Sequence, residues 1–572
     1  MLDIVVLVGG LALLAFPGVG LWPFLFQQQT PVERYTWGAT AGLALAVLVT
    51  FYLAYLRLSW FWPVWFVFCA ACVVPAWRST SAKPTRREGS GLWLGLLLAV
   101  VAISRFAPVF FRETPPGWDP SFHLILIRKL VLADHMVSDW TPFESVPLNY
   151  PLGSHLLVAV LARLTGLPLP RVFQFLIPAF GVVSTAQVYA LAARVFQRSE
   201  VGLYAAVAYG TWAFAGSIGY YTWGGLPNQL GMMFLLAVIG ILAEPGWNWR
   251  TTALTALLVS AILLTHHHVS LVTAAVLIAS MVYLVAARAD DSRAKCRGLL
   301  LAGFVGAAAA SPYLVPHTMR AAEIRNTDVL RFTEPHSLLL MIVEMGTVLV
   351  ACGVAGVIAC RGADRKRAGL VLTAASVLVV LYVAGAPLYR AYSLRRWGSE
   401  YVAFTPSRFL TDLVYFLSIF AGYALFRVAE HYRLRTGVVI AAGLLVALTN
   451  VPFWVEMFAR EPNPERRQAY AWIEQHTPAD TIVVVADAWA PYATWRRTPD
   501  TPLPVSEPKV IRNPARDAAA ALANGRNPEA AFVVKVIAPG GVAPPGPRLW
   551  KSPSGWSVVQ VWPRAPIHAA AR

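Results

Sequence analysis

Residues 91–124 read GLWLGLLLAVVAISRFAPVFFRETPPGWDPSFHL and join an apolar run to a short polar stretch. The run 91–111 is long enough to cross a bilayer as a helix, which takes about 20 residues. Within the polar stretch, residues 117–124 hold a single carboxylate, Asp119, between Trp118 and Pro120. An ionisable residue held at the edge of a span is a candidate functional residue. The alternative is that Asp119 only caps the helix that follows.

Composition places the whole chain in a membrane. It has 572 residues, of which 57% are hydrophobic and 13% charged, and its mean hydropathy is +0.56. A soluble protein of this size could not bury so much apolar surface, so the chain is predicted to be a polytopic membrane protein. The net charge of +17 is spread over short loops and a tail, which indicates membrane topology and anionic lipids rather than nucleic acid.

Apolar segments along the chain predict about fourteen crossings by the length that a membrane helix needs. Met1-Leu2-Asp3 lacks the positive charge that opens a secretory signal, so the first run is interpreted as a retained span. The predicted spans are 3–24, 37–57, 60–77, 91–111, 171–193, 201–219, 229–244, 251–265, 269–287, 298–316, 337–360, 369–386, 407–426 and 436–456. The pair 251–287 is also compatible with one long bent helix, which would change the parity.

Charge in the loops predicts which end of each span faces the cytoplasm. One alternate set of loops is short and basic, with examples at Arg194/Arg198 and Arg361/Arg365. Basic short loops stay in the cytoplasm. The long segments 112–170, 317–336 and 387–406 and the tail from 457 fall on the other side. Asp119 and the tail are therefore predicted to be extracytoplasmic, in a protein of the plasma membrane.

The predicted domains are three N-terminal membrane helices in 1–90, a membrane core in 91–456 that includes loop 112–170, and a small extracytoplasmic α/β domain in 457–572. Loop 112–170 alternates apolar and basic residues over 122–137, as in a helix on the membrane surface. Its run 155–164 is too short for a crossing. In the tail, helices are predicted at 465–476 and 513–524, and strands at 481–486, 531–537 and 556–562.

Four clusters meet on the predicted extracytoplasmic side. They are Asp119 with His123, the loop Tyr220–Gln229, the run His266-His267-His268, and Arg395-Arg396 together with Arg408. The loop is suited to stacking on a sugar and binding its hydroxyls, or it belongs to an interfacial aromatic belt. The histidines are either metal ligands or locally packed side chains. Arg408 either binds a phosphate or extends to lipid headgroups.

Together the clusters predict transfer of a group from a lipid phosphate. A carboxylate can act as general base on an acceptor hydroxyl, and a cation can stabilise the departing phosphate. The chain has no P-loop and no Gly-x-Gly-x-x-Gly fingerprint, so a donor carried by a lipid is favoured over a nucleotide sugar.

The ordered motifs resemble the GT-C superfamily of membrane glycosyltransferases, which includes oligosaccharyltransferase catalytic subunits, protein mannosyltransferases and aminoarabinose transferases. The resemblance covers about 91–480. It rests on a helix that ends at Phe111, the acidic motif Trp118–Leu124, a Tyr150-Pro151-Leu152 segment similar to the family's Tyr-Pro-Pro-Leu, a helix entered at Pro170-Arg171, and the turn 193–196. The stretch 467–473 is of a kind found in prokaryotic members.

The resemblance implies a catalytic Asp119, a polyprenyl-phosphate-linked sugar donor, and a lipid, glycan or protein acceptor. The substrate-binding candidates are His123, Tyr221, Trp223, Asn228, Gln229, Arg396 and Arg408. A divalent metal, Mg or Mn, would be held by Asp119, His123 and His267. Two departures from the family pattern weaken the assignment of a metal. The family's loop acid is often paired, and the loop 220–229 has only Asn228 and Gln229 where many members carry a second acid.

Two other classes of protein remain open. A lipid-linked-sugar transporter would show a hydropathy repeat and ionisable residues deep in its spans, and neither is expected here. A non-catalytic scaffold with the same fold is compatible with the single acid of the motif 118–124. The leading prediction is an inverting glycosyltransferase.

Overall fold

The structure is a computed structural model that describes residues 2–25, 30–80, 91–112, 114–116, 119–141, 143, 148, 150–288, 291–321, 338–393, 406–450, 464–478, 480–485, 490–496, 532–544 and 546–562. The predicted helix 513–524 and the candidate Arg396 lie outside these residues.

The described chain is a helical bundle followed by a small sheet. The helices are α1 Leu2–Leu25, α2 Pro31–Ala54, α3 Phe61–Thr80, α4 Gly91–Phe111, α5 Asp119–Ala133, α6 Gly153–Thr165, α7 Leu169–Phe196, α8 Ser199–Val207, α9 Tyr220–Trp223, α10 Leu226–Leu242, α11 Trp249–Thr265, α12 His267–Ala286, α13 Ser292–Ala309, α14 Ser311–Ala321, α15 Leu338–Met345, α16 Thr347–Ala359, α17 Gly362–Arg367, α18 Gly369–Ser393, α19 Pro406–Tyr432, α20 Thr436–Val446, α21 Pro464–His476 and α22 Ala490–Thr494. The strands are β1 Ile482–Val484, β2 Val533–Ile537, β3 Arg548–Lys551 and β4 Ser557–Trp562.

Fewer helices are long and apolar enough to span a membrane than the sequence predicts. Among the described residues, six helices are long and apolar enough to cross, or seven if the pair α15 and α16, bent by 91°, is one span. Helices α10, α11 and α20 are apolar but shorter. The predicted span 201–219 is broken, because α8 gives way to π-helical turns over 208–218. The chain is a multi-pass membrane protein, and the count of fourteen stays a prediction.

Outward-facing surfaces of the bundle are apolar. On α4, Leu92, Ile103 and Phe111 are 76%, 73% and 69% exposed. Exposed apolar surface on this scale is stable only against lipid or a partner. The opposite side of α4 buries Leu97 and Val101 against the rest of the bundle. This helix therefore lies at the lipid-facing edge.

Two charged residues are buried inside predicted spans, contrary to the expectation from sequence. Arg105 on α4 donates to Ser217 and to the Gly210 carbonyl, and Asp412 on α19 is fully buried. Each is six residues from the nearer end of its helix, or about 9 Å along the axis. Each charge has polar partners, which is why a membrane helix can hold it.

Helix α2 lies inside the bundle rather than beside it. The Gln187 amide on α7 donates to the Thr40 hydroxyl at 2.8 Å, and Arg194 pairs with Glu33 at 2.7 Å. These contacts connect the N-terminal helices to the core.

Helices α5 and α6 are covered by protein, whereas the sequence predicts a helix at the membrane surface. Leu124, Ile127 and Leu130 of α5 are fully buried, as is most of α6. The basic residues of α5 have protein partners instead of lipid headgroups: Arg128 pairs with Glu474, and Lys129 lies 3.6 Å from Asp139. The alternation of apolar and basic residues thus has a different cause from the one predicted.

The C-terminal region is an α/β unit with strand order β1-β2-β4-β3. Strands β1 and β2 are parallel and the other pairs antiparallel, and α21 packs its Tyr470 and Ile473 against the sheet. The strand predictions near 482, 533 and 557 are met, and β3 was not predicted. The unit contacts α5 directly, because the Arg128 guanidinium lies over the Trp495 ring at 4.4 Å, and the same ring meets Phe143 edge to face at 5.1 Å.

Candidate functional site

The candidate base of the site, Asp119, lies at the start of helix α5. Asp119 is its first residue and Pro120 the second, a favourable start because proline lacks the N–H that the first turn leaves unpaired. Burial raises the pKa of Asp119 above its ordinary value, and the positive charge of Arg408 opposes this rise. A carboxylate with a raised pKa is a stronger base than an exposed one.

The aromatic loop reaches Asp119 because the chain between α8 and α10 is not a continuous helix. Ala213 is extended, and Gly216 and Gly224 adopt left-handed conformations with φ of 73° and 78°. A Cβ on Gly224 would lie 2.7 Å from the Pro120 ring. The absence of that Cβ lets α9, with Tyr221 and Trp223, pack against the start of α5.

Replacing Gly224 by alanine is expected to separate the two segments. The variant must adopt a left-handed backbone, at a cost of about 1 kcal/mol, and must also displace Pro120. The matched control is Gly166→Ala, because Gly166 has a φ of 67° with nothing near its missing Cβ. Thermal denaturation in detergent should show a lower Tm for Gly224→Ala than for Gly166→Ala. Equal Tm values would show that the contact with Pro120 contributes nothing.

Arg408 supplies the positive charge of the site. It lies in the first turn of α19, with its guanidinium 5.7 Å from the centre of the Trp223 ring. Its charge acts on Asp119, His123, Tyr150 and His266, so these residues surround one region. A planar guanidinium on an aromatic face is preorganised to bind an oxyanion in two-point fashion.

A cluster of histidines surrounds Tyr150. The Tyr150 ring contacts His155 at 5.5 Å and His267 at 5.6 Å, and His123 Nδ1 lies 3.0 Å from His155 Nε2. Burial lowers the pKa of His155 to about 3. Burial, aided by His155 and Arg408, also holds the pKa of His123 well below its usual range. Both rings are therefore neutral at pH 7.

Acidification is expected to destabilise the protein through this pair. The unfolded chain protonates His155 near its ordinary pKa of 6.5, whereas the folded protein does so near 3. Stability therefore rises with pH across this window and is lost as pH falls. Between pH 6.5 and 5 the loss is about 2 kcal/mol per buried imidazole.

His155→Gln should reduce the fall in Tm between pH 7.5 and 5, measured by thermal denaturation in detergent. His135→Gln, at an exposed histidine of the same loop, is the control and should keep the wild-type slope. If Tm fell with pH as steeply in His155→Gln as in the wild type, the buried imidazole would not be the cause of the acid sensitivity.

The three consecutive histidines point to different places because the helix breaks between them. His266 is extended, with φ −158° and ψ 121°, and separates α11 from α12. His266 and His267 stack at 5.1 Å near Tyr150. The imidazole Nε2 of His268 lies 3.0 Å from a carboxylate oxygen of Asp412.

Asp412 is a site residue that sequence reasoning missed. Both it and His268 are fully buried, and the Asn228 amide donates to Asp412 at 2.9 Å and to the Tyr220 hydroxyl at 2.9 Å. The available signal was that Asp412 is the only acid in the apolar segment 407–426 and follows Arg408 by four residues, one helical turn.

The structure distributes the described substrate-binding candidates over four environments. Arg408 and Trp223 are half-buried beside Asp119, and His123 is buried with His155. Asn228 is bonded inside the protein, and among the described residues the fully buried Gln229 amide has no hydrogen-bond partner. Tyr221 lines a cavity of about 10 Å³ with Arg105 and Ser217, room for about one water.

The predicted metal ligands do not form a metal site in the described residues. No group of three or more His, Cys, Asp or Glu there is placed to hold an ion. His123 pairs with His155. The charged group that acts on the pKa of Asp119 is the Arg408 guanidinium. No step of the chemistry is therefore routed through a metal.

All of these groups collect at one end of the bundle. Asp119 follows the end of α4, His266 follows the end of α11, and Arg408 begins α19. The basic residues Arg250 and Arg427 lie at the opposite ends of α11 and α19. The arrangement is therefore a cluster at one end of the bundle with a carboxylate, a guanidinium and aromatic rings, suited to general base catalysis next to a bound anion.

Solved structures share this fold. No protein-family model and no curated protein matches the chain. The archaeal oligosaccharyltransferase AglB from Archaeoglobus fulgidus, solved with an inhibitory peptide and a dolichol-phosphate, aligns with a TM-score of 0.50 and 14% identity over 78% of this chain and 69% of that chain. A form of the enzyme from the same organism with Zn and sulfate aligns with a TM-score of 0.50 and 14% identity over 77% and 68%.

ArnT from Cupriavidus metallidurans, bound to undecaprenyl phosphate, aligns with a TM-score of 0.52 and 13% identity over 84% of this chain and all of that chain, 100%. At such identities the similarity shows a common fold. The resemblance predicted from the ordered motifs is confirmed at this level.

Proposed function

We propose that this chain, which has the GT-C fold, transfers a sugar from a polyprenyl-phosphate-linked donor to an acceptor hydroxyl or amide on the extracytoplasmic side of the plasma membrane. The observation that carries the proposal is that the Arg408 guanidinium is near enough for its charge to lower the pKa of the buried Asp119 carboxyl, although the two residues are far apart in the sequence. The neighbours of the same fold were solved with dolichol-phosphate and undecaprenyl phosphate, which supports a lipid-linked donor.

The reaction that fits this geometry is a single displacement with an acceptor hydroxyl. Asp119 removes the acceptor proton, and the acceptor oxygen attacks the anomeric carbon of the sugar. The bond between that carbon and the phosphate oxygen breaks, and the phosphate leaves with the electron pair. Arg408 stabilises the charge that develops on it, and Trp223 provides an apolar face for the sugar or for Arg408. A single displacement inverts the anomeric centre.

The extracytoplasmic location is supported by charge and by contacts. The ends of the helices opposite the cluster carry Arg194, Arg250 and Arg427, and basic short loops remain in the cytoplasm. The C-terminal α/β unit contacts α5 through Arg128 and Trp495, so it lies on the same side as Asp119. We propose that the acceptor, whether lipid, glycan or protein, reaches Asp119 from the side on which this unit lies.

A second candidate function is transport of a lipid-linked sugar, which the buried charges Arg105 and Asp412 favour. The test uses purified protein in liposomes and a panel of radiolabelled polyprenyl-phosphate sugars. Release of free polyprenyl phosphate supports the transferase, whereas movement of intact donor between leaflets supports the transporter. Neither event with any donor favours a non-catalytic scaffold. Parallel assays with EDTA distinguish a reaction that depends on Arg408 alone from one that also uses a metal.

A further inference from the structure

Asp412 occupies a position in the membrane core where an unpaired carboxylate would not be stable. Burying a charged carboxylate costs several kcal/mol unless it is paired and hydrogen-bonded. Its two oxygens are used separately: one lies 3.0 Å from His268 Nε2, and the other accepts from the Asn228 amide at 2.9 Å. The group is therefore held on both sides by specific partners.

These partners belong to the elements that form the site. Asn228 is in the first turn of α10, immediately after the loop with Trp223, and also donates to Tyr220 of α9. His268 is in the first turn of α12, next to the histidines that contact Tyr150. Asp412 thus connects three elements that start at the same membrane surface.

Arg408 lies one helical turn before Asp412 on α19. The same helix therefore presents the guanidinium to the Trp223 ring and, one turn deeper, fixes the segment that carries Trp223. The segment needs such fixing, since it includes the left-handed Gly216 and Gly224 and is not a continuous α-helix.

We infer that Asp412 is a positioning residue for the proposed transfer: through Asn228 and His268 it holds the aromatic loop and Arg408 in register with Asp119. Asp412 on α19 is connected to the loop 220–229 by its hydrogen bond with Asn228. The expected effect of Asp412 on turnover rests on the proposed function. Its expected effect on the loop conformation rests only on the contacts described above.

The test exchanges the two hydrogen-bonded side chains. Asn228→Asp alone places two carboxylates at the 2.9 Å contact, and Asp412→Asn alone removes the buried charge. The double variant restores one acid and one amide in contact. Because the network orients groups instead of binding the donor, Asp412→Asn should lower kcat about tenfold or more with donor KM changed by less than about threefold.

We express each kcat as a fraction of the wild-type value. The fraction for the double variant should be about tenfold higher than the product of the fractions for the two single variants, as expected for residues in contact. The control is Glu33→Gln, a buried carboxylate paired with Arg194 at the opposite end of the bundle, which should lower Tm but leave kcat unchanged. A wild-type kcat in Asp412→Asn, or single effects that simply multiply, would overturn the inference.

Hydrogen–deuterium exchange separates this inference from the proposed function. In Asp412→Asn, peptides covering 219–229 should exchange faster, while those of α2 should not. This result is expected even if the wild type turns over no donor, in which case the proposed function fails and the positioning of the loop stands. Unchanged exchange over 219–229 would overturn the positioning role whatever the turnover.

Discussion

Asp119→Asn is expected to lower kcat for sugar transfer by at least about 10²-fold, the usual contribution of a positioned general base. Asparagine is nearly the same size, can still occupy the first position of α5 and keeps the contact between Pro120 and Gly224. It cannot accept the acceptor's proton. The loss should therefore fall on kcat while the donor KM and the Tm stay close to wild type.

The matched control for Asp119 is Asp139→Asn, which changes an acid of the same loop whose partners are Thr141 and Lys129. Asp139 should be dispensable for turnover because it lies outside the cluster around Arg408. If Asp119→Asn retained wild-type kcat, Asp119 would be only a helix cap. If both variants lost activity equally, the loop fold and not the base would be the cause.

Arg408→Gln is expected to lower kcat/KM for the donor by about 10²- to 10³-fold, the range for removing a group that stabilises developing charge. Both binding and the chemical step should suffer, since the guanidinium interacts with the phosphate before and after the bond breaks. Arg408→Lys should recover part of the loss, because lysine keeps the charge but not the planar two-point contact.

The control for Arg408 is Arg427→Gln, at the exposed far end of the same helix, where Arg427 lies 3.6 Å from Glu430. It changes the net charge of the protein by the same amount without touching the site. Polyprenyl phosphate binding, measured by inhibition of turnover, should weaken in Arg408→Gln and not in Arg427→Gln. Equal weakening in both would indicate that only the overall charge matters.

Much of the fold follows from local pattern, and the parts that do not follow have identifiable causes. The apolar run that forms α4 and the acidic motif after it predict a span and an extramembrane helix, and both are present. Hydropathy did not predict the break of 201–219 into π-helical turns, where Ser217 accepts a hydrogen bond from Arg105 of α4. The burial of α5 likewise involves elements distant in sequence, since the helix packs against the C-terminal unit as well as against α6 and α7.

Prediction of the site was limited by contacts distant in sequence. Asp119, Trp223 and Arg408 stand out by type and by position next to a span, and the structure brings them together. Asp412 did not stand out, because its role depends on Asn228 and His268, each more than a hundred residues away in the chain. The same partners explain why Asn228, a natural sugar ligand by type, is occupied inside the protein.

The most direct test of the transferase account is the release of free polyprenyl phosphate from a radiolabelled donor in a single turnover, measured side by side for wild type and Asp119→Asn at equal protein. We expect the wild type to release polyprenyl phosphate and the variant to release none above background on the same time scale. Equal release by both proteins would contradict the assignment of Asp119 as the base and with it the proposed active site.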